Sequence, residues 1–103
     1  MPTGKGESVA LIDWLLPRAP TDGLRFVRQL TPDDPRFRDA LEQARHALDP
    51  ENRLAPRSMA VDVLGALGHY EEAQEVLRQV ARRDPSWRVR LKARSLLKRL
   101  AGF

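Results

Sequence analysis

Apolar residues recur three or four positions apart along most of the chain, and no segment alternates convincingly between apolar and polar residues. The first spacing places side chains on one face of an α-helix, whereas strict alternation would place them on one face of a β-strand. The clearest helical stripe is formed by Phe37, Ala40, Leu41, Ala44 and Leu48. The pattern therefore predicts an all-α protein of five or six helices.

Prolines, glycines and capping residues divide this pattern into segments. The predicted helices span approximately residues 7–16, 24–30, 35–48, 56–67, 70–83 and 85–101. Asp34 and Asp84 each precede a proline, which is a start signal because the carboxylate accepts from free backbone amides while proline has no amide hydrogen to satisfy. Asp49 also precedes a proline, but Pro56 would interrupt a helix begun there, so we expect a loop or a single turn first. A short apolar strand is the alternative for residues 7–16.

The joint between the fourth and fifth predicted helices is short. An apolar stripe ends at Leu67, while Glu71 and Glu72 suit the positive N-terminal end of the next helix. Gly68, between them, is expected to adopt the left-handed conformation that closes many helices. A joint of this length predicts that the two helices are antiparallel neighbours.

Two parts of the chain can be aligned with each other at an offset that falls from 35 to 33 residues. The aligned pairs are Asp49-Pro50 with Asp84-Pro85, Ala60 with Ala93, and Leu64 with Leu97. A repeat of this length, with one pair of helices per unit, is typical of an α-solenoid, in which antiparallel helical hairpins stack on one another. We therefore expect a single domain over residues 1–103, with a flexible tail at 1–6 and repeat-like units at about 33–67 and 68–102. An ordinary helical bundle is the alternative.

Two segments resemble known repeat families. The segment 84–93, Asp-Pro-Ser-Trp-Arg-Val-Arg-Leu-Lys-Ala, resembles the second helix of a HEAT-type repeat. The segment 68–73, Gly-His-Tyr-Glu-Glu-Ala, followed by Leu77 and Pro85, resembles the second half of a tetratricopeptide repeat (TPR). The two resemblances compete, and both imply a helical-repeat architecture. Such families bind other macromolecules, usually proteins, without catalysis.

The charge is distributed unevenly along the chain. Residues 76–103 contain nine basic residues and one acidic residue, so this end carries +8 while the whole chain carries +4. A basic end on an acidic body predicts an anionic partner, or self-association. With 42% hydrophobic residues, 31% charged residues and no apolar run of membrane-spanning length, we expect a soluble cytoplasmic protein without membrane association.

The residues that commonly carry catalysis or bind metals are scarce. There is no cysteine, and the two histidines, His46 and His69, are too far apart in sequence to form a zinc motif. We expect His46 to pair with Glu42 and His69 to lie at the cap of the fifth helix. The acidic residues that precede prolines are explained as helix caps. The sequence therefore predicts a protein that is not an enzyme and has no cofactor, metal or catalytic residue.

The last predicted helix offers the best candidate site. Trp87, Leu91, Arg94 and Lys98 fall on one side of it, away from the apolar stripe, with Arg90 beside them. An aromatic residue among cations suits an acidic surface, so Trp87, Arg90, Arg94 and Lys98 are the predicted partner-binding residues.

Three alternatives to an acidic protein partner remain open for this helix. The same cations could bind nucleic-acid phosphates. Trp87 could instead pack against Tyr70 or the fifth helix, leaving the arginines as a solvated face with their apolar stems on the core. The chain could also self-associate, with Trp14, Leu11 and Leu15 as a further contact.

Overall fold

A computed structural model describes residues 20–101, which form five α-helices and contain no β-strand. The helices are α1 (Pro20–Arg28), α2 (Pro35–Ala47), α3 (Leu54–Ala66), α4 (Glu71–Arg83) and α5 (Trp87–Ala101). The predicted all-α class is confirmed for this part of the chain. The expected tail at 1–6, the helix at 7–16 and the contact formed by Leu11, Trp14 and Leu15 lie outside the described residues.

The start of α2 follows the predicted mechanism. Asp34 is the N-cap residue with extended backbone angles, its side chain accepts a hydrogen bond from the Arg36 amide at 2.9 Å, and Pro35 occupies the first turn. The helix α1 differs from its prediction because it begins at Pro20, four residues before the predicted start at residue 24. Proline suits the first turn of a helix, where amide hydrogens lack intrahelical partners.

The connection between α2 and α3 is a turn, as the second proline predicted. Asp49 Oδ1 accepts from the amide of Glu51 at 3.0 Å, and Asn52 Nδ2 donates to the carbonyl oxygens of His46 and Ala47 at 3.1 and 3.0 Å. The asparagine therefore satisfies carbonyl groups at the end of α2 that have no partner within the helix. The helix α3 starts at Leu54, two residues before the proposed start, and accommodates Pro56 in its first turn.

The left-handed conformation predicted for Gly68 is wrong, because no glycine among the described residues has a positive φ angle. Gly68 is instead needed for close packing. A Cβ atom placed there would lie 2.6 Å from Leu100 Cδ1, and one placed on Gly65 would lie 2.9 Å from Leu96 Cδ1. The two glycines therefore allow α5 to pack closely on the end of α3.

The helix α3 is the centre of the core, since it packs against each of the other four helices. Its Val61, Val63 and Leu64 are completely buried. The stripe predicted for α4 is also buried; it comprises Ala73, Val76, Leu77, Val80 and Ala81. Because burial of apolar surface is the main favourable contribution to folding, α3 holds the described helices together.

The contacts of α3 establish the directions of its neighbours. Arg57, near the start of α3, contacts Asp84, at the end of α4, so these two helices run in opposite directions. Contacts between α3 and α5 advance along both helices in step: Ser58 with Lys92, Gly65 with Leu96, and Gly68 with Leu100. The helices α3 and α5 therefore lie side by side and run in the same direction.

Candidate interaction surface

The first residue that positions α5 is Asp84. Its side chain is only 3% exposed, and its Oδ1 atom accepts a hydrogen bond from the Ser86 amide at 2.9 Å and lies 3.4 Å from Arg57 Nη1. The carboxylate thus satisfies an amide in the turn before α5 and interacts with a cation on α3. This arrangement fixes the start of α5 relative to the core.

Arg90, one of the four predicted partner-binding residues, also lies at this junction. Its Nη1 atom donates to the main-chain oxygen of Asp84 at 2.6 Å, and the side chain is half-buried. The structure therefore places the Arg90 guanidinium against the end of α4. It does not bring this group together with Trp87, Arg94 and Lys98 on the outer side of α5.

Lys92 attaches the middle of α5 to α3. Its Nζ atom donates to Ser58 Oγ at 2.9 Å and to Asp62 Oδ2 at 2.8 Å. Both partners lie on one side of α3, one helical turn apart. The rotation of α5 about its own axis is therefore set by Lys92 on one flank and Arg90 on the other.

With the helix held in this orientation, Trp87, Leu91, Arg94 and Lys98 lie on its outer side. We call these four residues the α5 surface. Trp87 is 61% exposed and Leu91 is 52% exposed, and Arg94 and Lys98 are exposed as well. Their spacing of four, three and four positions keeps them on one face, because the α-helix has about 3.6 residues per turn. The α5 surface is therefore a mixed apolar and cationic strip.

In the described part of the chain no ring contact joins Trp87 to Tyr70, which was one of the two packing positions considered for this residue. Tyr70 lies edge-on to Phe37, with ring centroids 4.9 Å apart. Trp87 instead has the Arg88 guanidinium carbon 5.5 Å from its ring centroid. An exposed indole with a cation beside it is available for contact with a partner.

The helix α5 contains six basic residues and no acidic residue. Arg90 and Lys92 interact with groups on other parts of the chain, and Arg88 lies over Trp87. The remaining three form no ion pair within residues 20–101; they are Arg94, Lys98 and Arg99. Because no internal anion neutralises these charges, this side of the protein attracts anionic groups.

A cleft that the sequence did not predict borders the α5 surface. It lies between α1, α3 and α5, with a volume of about 330 Å³, and we call it the α1–α3–α5 cleft. Its walls include Arg28, Lys92, Ser95 and Arg99, together with the apolar residues Leu24, Ala66, Leu96 and Leu100. The recurrence of helices at a fixed interval is the sequence feature that could have indicated this cleft. Equivalent helices of successive repeats are expected to pack on one another, so helices distant in sequence become neighbours.

Two further sequence expectations concern the histidines. No hydrogen bond or ion pair joins His46 to Glu42 in the described residues, so that expectation is wrong; the exposed His46 gains little from such a pair. His69 lies two residues before the first residue of α4, and its ring is 4.5 Å from that of Tyr70. The N-cap residue of this helix is Tyr70, so the predicted cap position of His69 is wrong by one residue.

The perturbed ionisable groups belong to the start of α2, to an ion pair between α2 and α4, and to ion pairs within α4. Hydrogen bonds from the Arg36 side chain and amide lower the pKa of Asp34 to about 2. Arg38 donates to Glu72 at 2.7 Å and lowers the pKa of that carboxyl group. Both pairs are exposed, and neither forms part of the α5 surface.

The described part of the chain is therefore an all-helical unit with an exposed apolar and cationic strip on its last helix. Within residues 20–101, no group of three acidic or histidine side chains could hold a metal ion. Every helix in the same range is too short or too polar to cross a membrane. No protein-family model, curated protein or solved structure matches the chain.

Proposed function

We propose that this protein is a non-catalytic protein–protein interaction module, a helical-repeat adaptor or scaffold, that binds the acidic surface of a partner protein through the α5 surface. One observation carries the proposal. Trp87 and Leu91 are exposed one helical turn apart, on a helix whose outer cations Arg94 and Lys98 form no ion pair within the part of the chain that the structure describes. Aromatic residues and arginine are enriched at the centres of protein interfaces, and apolar residues surrounded by charges are typical of docking sites.

The helical-repeat part of the proposal is supported by the positions of the helices. The helices α1, α3 and α5 begin at residues 20, 54 and 87, which are 34 and 33 residues apart. Contacts between α3 and α5 join residues at nearly the same separation, as Gly65 with Leu96 shows. A helix that packs on its equivalent one repeat later is the arrangement expected of an α-solenoid. The HEAT-type and TPR resemblances favour the same architecture, with units at about 33–67 and 68–102.

Within this proposal the predicted contact set changes at two positions. Trp87, Arg94 and Lys98 remain partner-binding residues, and Leu91 joins them as the second apolar contact. Arg90 acts as a positioning residue, because its guanidinium already donates to the Asp84 carbonyl oxygen. Cytoplasmic localisation is part of the same proposal.

A nucleic-acid-binding function is the second candidate, and the six cations of α5 favour it. Phosphate binding requires cations but does not require an exposed apolar pair, whereas a protein interface uses both. Trp87 and Leu91 therefore decide between the two candidates. Duplex DNA binding should survive the change Trp87→Ala with Leu91→Ala, and protein binding should not.

The proposed function can be tested with a photo-crosslinking amino acid placed at position 91 in living cells. We expect it to capture a protein whose contact region is acidic. The variant Arg94→Glu with Lys98→Glu should abolish the capture. The matched control is Arg25→Glu with Arg53→Glu, which changes the net charge equally at two exposed positions outside α5 and should leave the capture intact.

Three results of this experiment would contradict the proposal. Capture that the control variant abolishes equally would show that only net charge matters. Crosslinks to RNA or DNA, with steep salt dependence of binding to labelled oligonucleotides, would establish the second candidate. Crosslinks to another copy of this chain would show that the α5 surface serves self-association.

A further inference from the structure

The α1–α3–α5 cleft contains two cations from different helices. Arg28 belongs to the last turn of α1 and Arg99 to the last turn of α5. Both are exposed, and neither forms an ion pair within residues 20–101. The third cation in the cleft, Lys92, is neutralised by Asp62 at 2.8 Å. The cleft therefore carries two positive charges that form no ion pair with any side chain of residues 24–101.

The other walls of the cleft determine what kind of anion suits it. The hydroxyl group of Ser95 is exposed beside the two arginines. Leu24, Leu96 and Leu100 are half-buried and leave apolar surface facing the cleft. An inorganic anion would satisfy the cations but would leave the leucines in contact with water. A segment with a carboxylate next to an apolar side chain satisfies both sets of groups.

The size of the cleft depends on Gly65. This residue lies on the cleft wall, and a Cβ atom there would approach Leu96 Cδ1 to 2.9 Å. The volume of about 330 Å³ is at the lower end of the range for ligand sites in proteins. Such a space suits one or two side chains of a bound segment.

We propose that the α1–α3–α5 cleft binds an acidic side chain of a partner protein together with a neighbouring apolar side chain. Arg28 and Arg99 pair with the carboxylate, Ser95 donates a hydrogen bond to it, and Leu24 and Leu96 cover the apolar neighbour. This inference rests on the proposed function. Ser95 and Arg99 directly follow Arg94 and Lys98 along α5, so one acidic partner contacts the α5 surface and the cleft together.

The test is a nuclear magnetic resonance titration of the full chain, labelled with ¹⁵N. The probe is a short peptide of aspartate and leucine in equal proportion, and the control peptide has lysine in place of aspartate. We expect the aspartate peptide to shift the amide resonances of Arg28 and Ala66, which mark the cleft, as well as the indole resonance of Trp87. The lysine peptide should shift none of them.

A pair of variants tests the role of the arginines. Arg28→Ala with Arg99→Ala should weaken binding of the aspartate peptide about tenfold or more, since each change removes a charge-assisted contact. The control Arg25→Ala with Arg53→Ala removes the same charge from exposed positions outside the cleft and should leave binding unchanged. Equal loss in both variants would overturn the proposal.

The positions of the shifts separate this inference from the proposed function. Shifts at Trp87 and Leu91 alone would refute the cleft and support the α5 surface, whereas shifts at Arg28 and Ala66 alone would do the reverse. No shift at either place would refute both. If inorganic phosphate produced the same cleft shifts at the same concentration as the peptide, the cleft would be a general anion site and the proposed occupant would be wrong.

Discussion

The Nη1 atom of Arg57 lies 3.4 Å from Oδ1 of Asp84, and both side chains are almost completely buried, at 9% and 3% exposed. The pair joins the beginning of α3 to the end of α4. Its geometry is incomplete, because Arg57 Nε and Nη1 are buried and make no hydrogen bond in the described part of the chain. Burial of two charges costs free energy that only well-formed hydrogen bonds fully offset.

The two members of this pair should therefore respond differently to substitution. Asp84→Ala leaves the Arg57 charge buried without a partner and also removes the bond to the Ser86 amide. We expect a loss of about 3–5 kcal/mol in the free energy of unfolding. Arg57→Met leaves the Asp84 carboxylate buried without its cation, but the Ser86 amide still donates to it, so we expect a smaller loss of stability than for Asp84→Ala.

Urea denaturation of the two variants and of the double variant measures these effects. In the double variant no buried arginine is left unpaired, so its stability should exceed that of Asp84→Ala alone. The interpretation would be wrong if the double variant were no more stable than Asp84→Ala alone, because the unpaired Arg57 charge would then not be the cause of the loss.

The glycine on the cleft wall gives a second prediction. Gly65→Ala places a Cβ atom 2.9 Å from Leu96 Cδ1, a contact that requires Leu96 to move. We expect a destabilisation of about 1–3 kcal/mol, which is typical of overpacking. In a Leu96→Ala background the same change should become neutral or stabilising by up to about 1 kcal/mol, because alanine favours the helix more than glycine does.

A double-mutant cycle in urea measures this coupling. The absence of coupling between positions 65 and 96 would show that close packing of α5 is not the reason for glycine. Leu96→Val, which keeps part of the side chain, should give an intermediate result.

The features that the sequence predicted correctly are local. Asp34 and Pro35 specify the start of α2 because the cap and the proline act within one turn of each other. The buried stripe of α4 follows from helical spacing over thirteen residues. In both cases the relevant interactions lie within one helix, so the pattern of residues is sufficient.

The features that it missed depend on packing between helices. Gly68 carries the usual signal for a left-handed cap, but its role follows from the position of Leu100, 32 residues further along the chain. Arg90 falls beside the outer residues on a helical projection, yet its long side chain reaches the Asp84 carbonyl oxygen. The α1–α3–α5 cleft likewise exists only after three separate helices have packed together.

The cap of α2 provides a prediction about pH. Hydrogen bonds from Arg36 lower the pKa of Asp34 from 3.8 to about 2, so the ionised carboxylate is favoured in the folded state. The stabilisation from this group is therefore fully present above pH 4 and is lost as the pH falls toward 2. The variant Arg36→Ala should raise the pKa of Asp34 toward its ordinary value.

A titration of the Asp34 carboxyl carbon by nuclear magnetic resonance measures this pKa in the unaltered protein and in Arg36→Ala. Asp39 on the same helix, whose carboxylate accepts from Gln43 Nε2 at 2.6 Å, serves as the internal control for effects of Arg36→Ala elsewhere in α2. An unchanged Asp34 titration in Arg36→Ala would show that the arginine does not hold the carboxylate.

The last prediction separates the α5 surface from the core of the same helix. Trp87 and Leu91 are mostly exposed, so Trp87→Ala with Leu91→Ala should change the free energy of unfolding by no more than about 0.5 kcal/mol per site. Val89 lies between them in sequence but is only 1% exposed. Val89→Ala leaves a cavity in the core, so it should lower the free energy of unfolding by more than either surface change does. Urea denaturation compares the two variants directly. If the surface variant lost as much stability as Val89→Ala, Trp87 and Leu91 would contribute to the fold of this chain. Binding of a partner would then no longer be needed to explain these two apolar side chains.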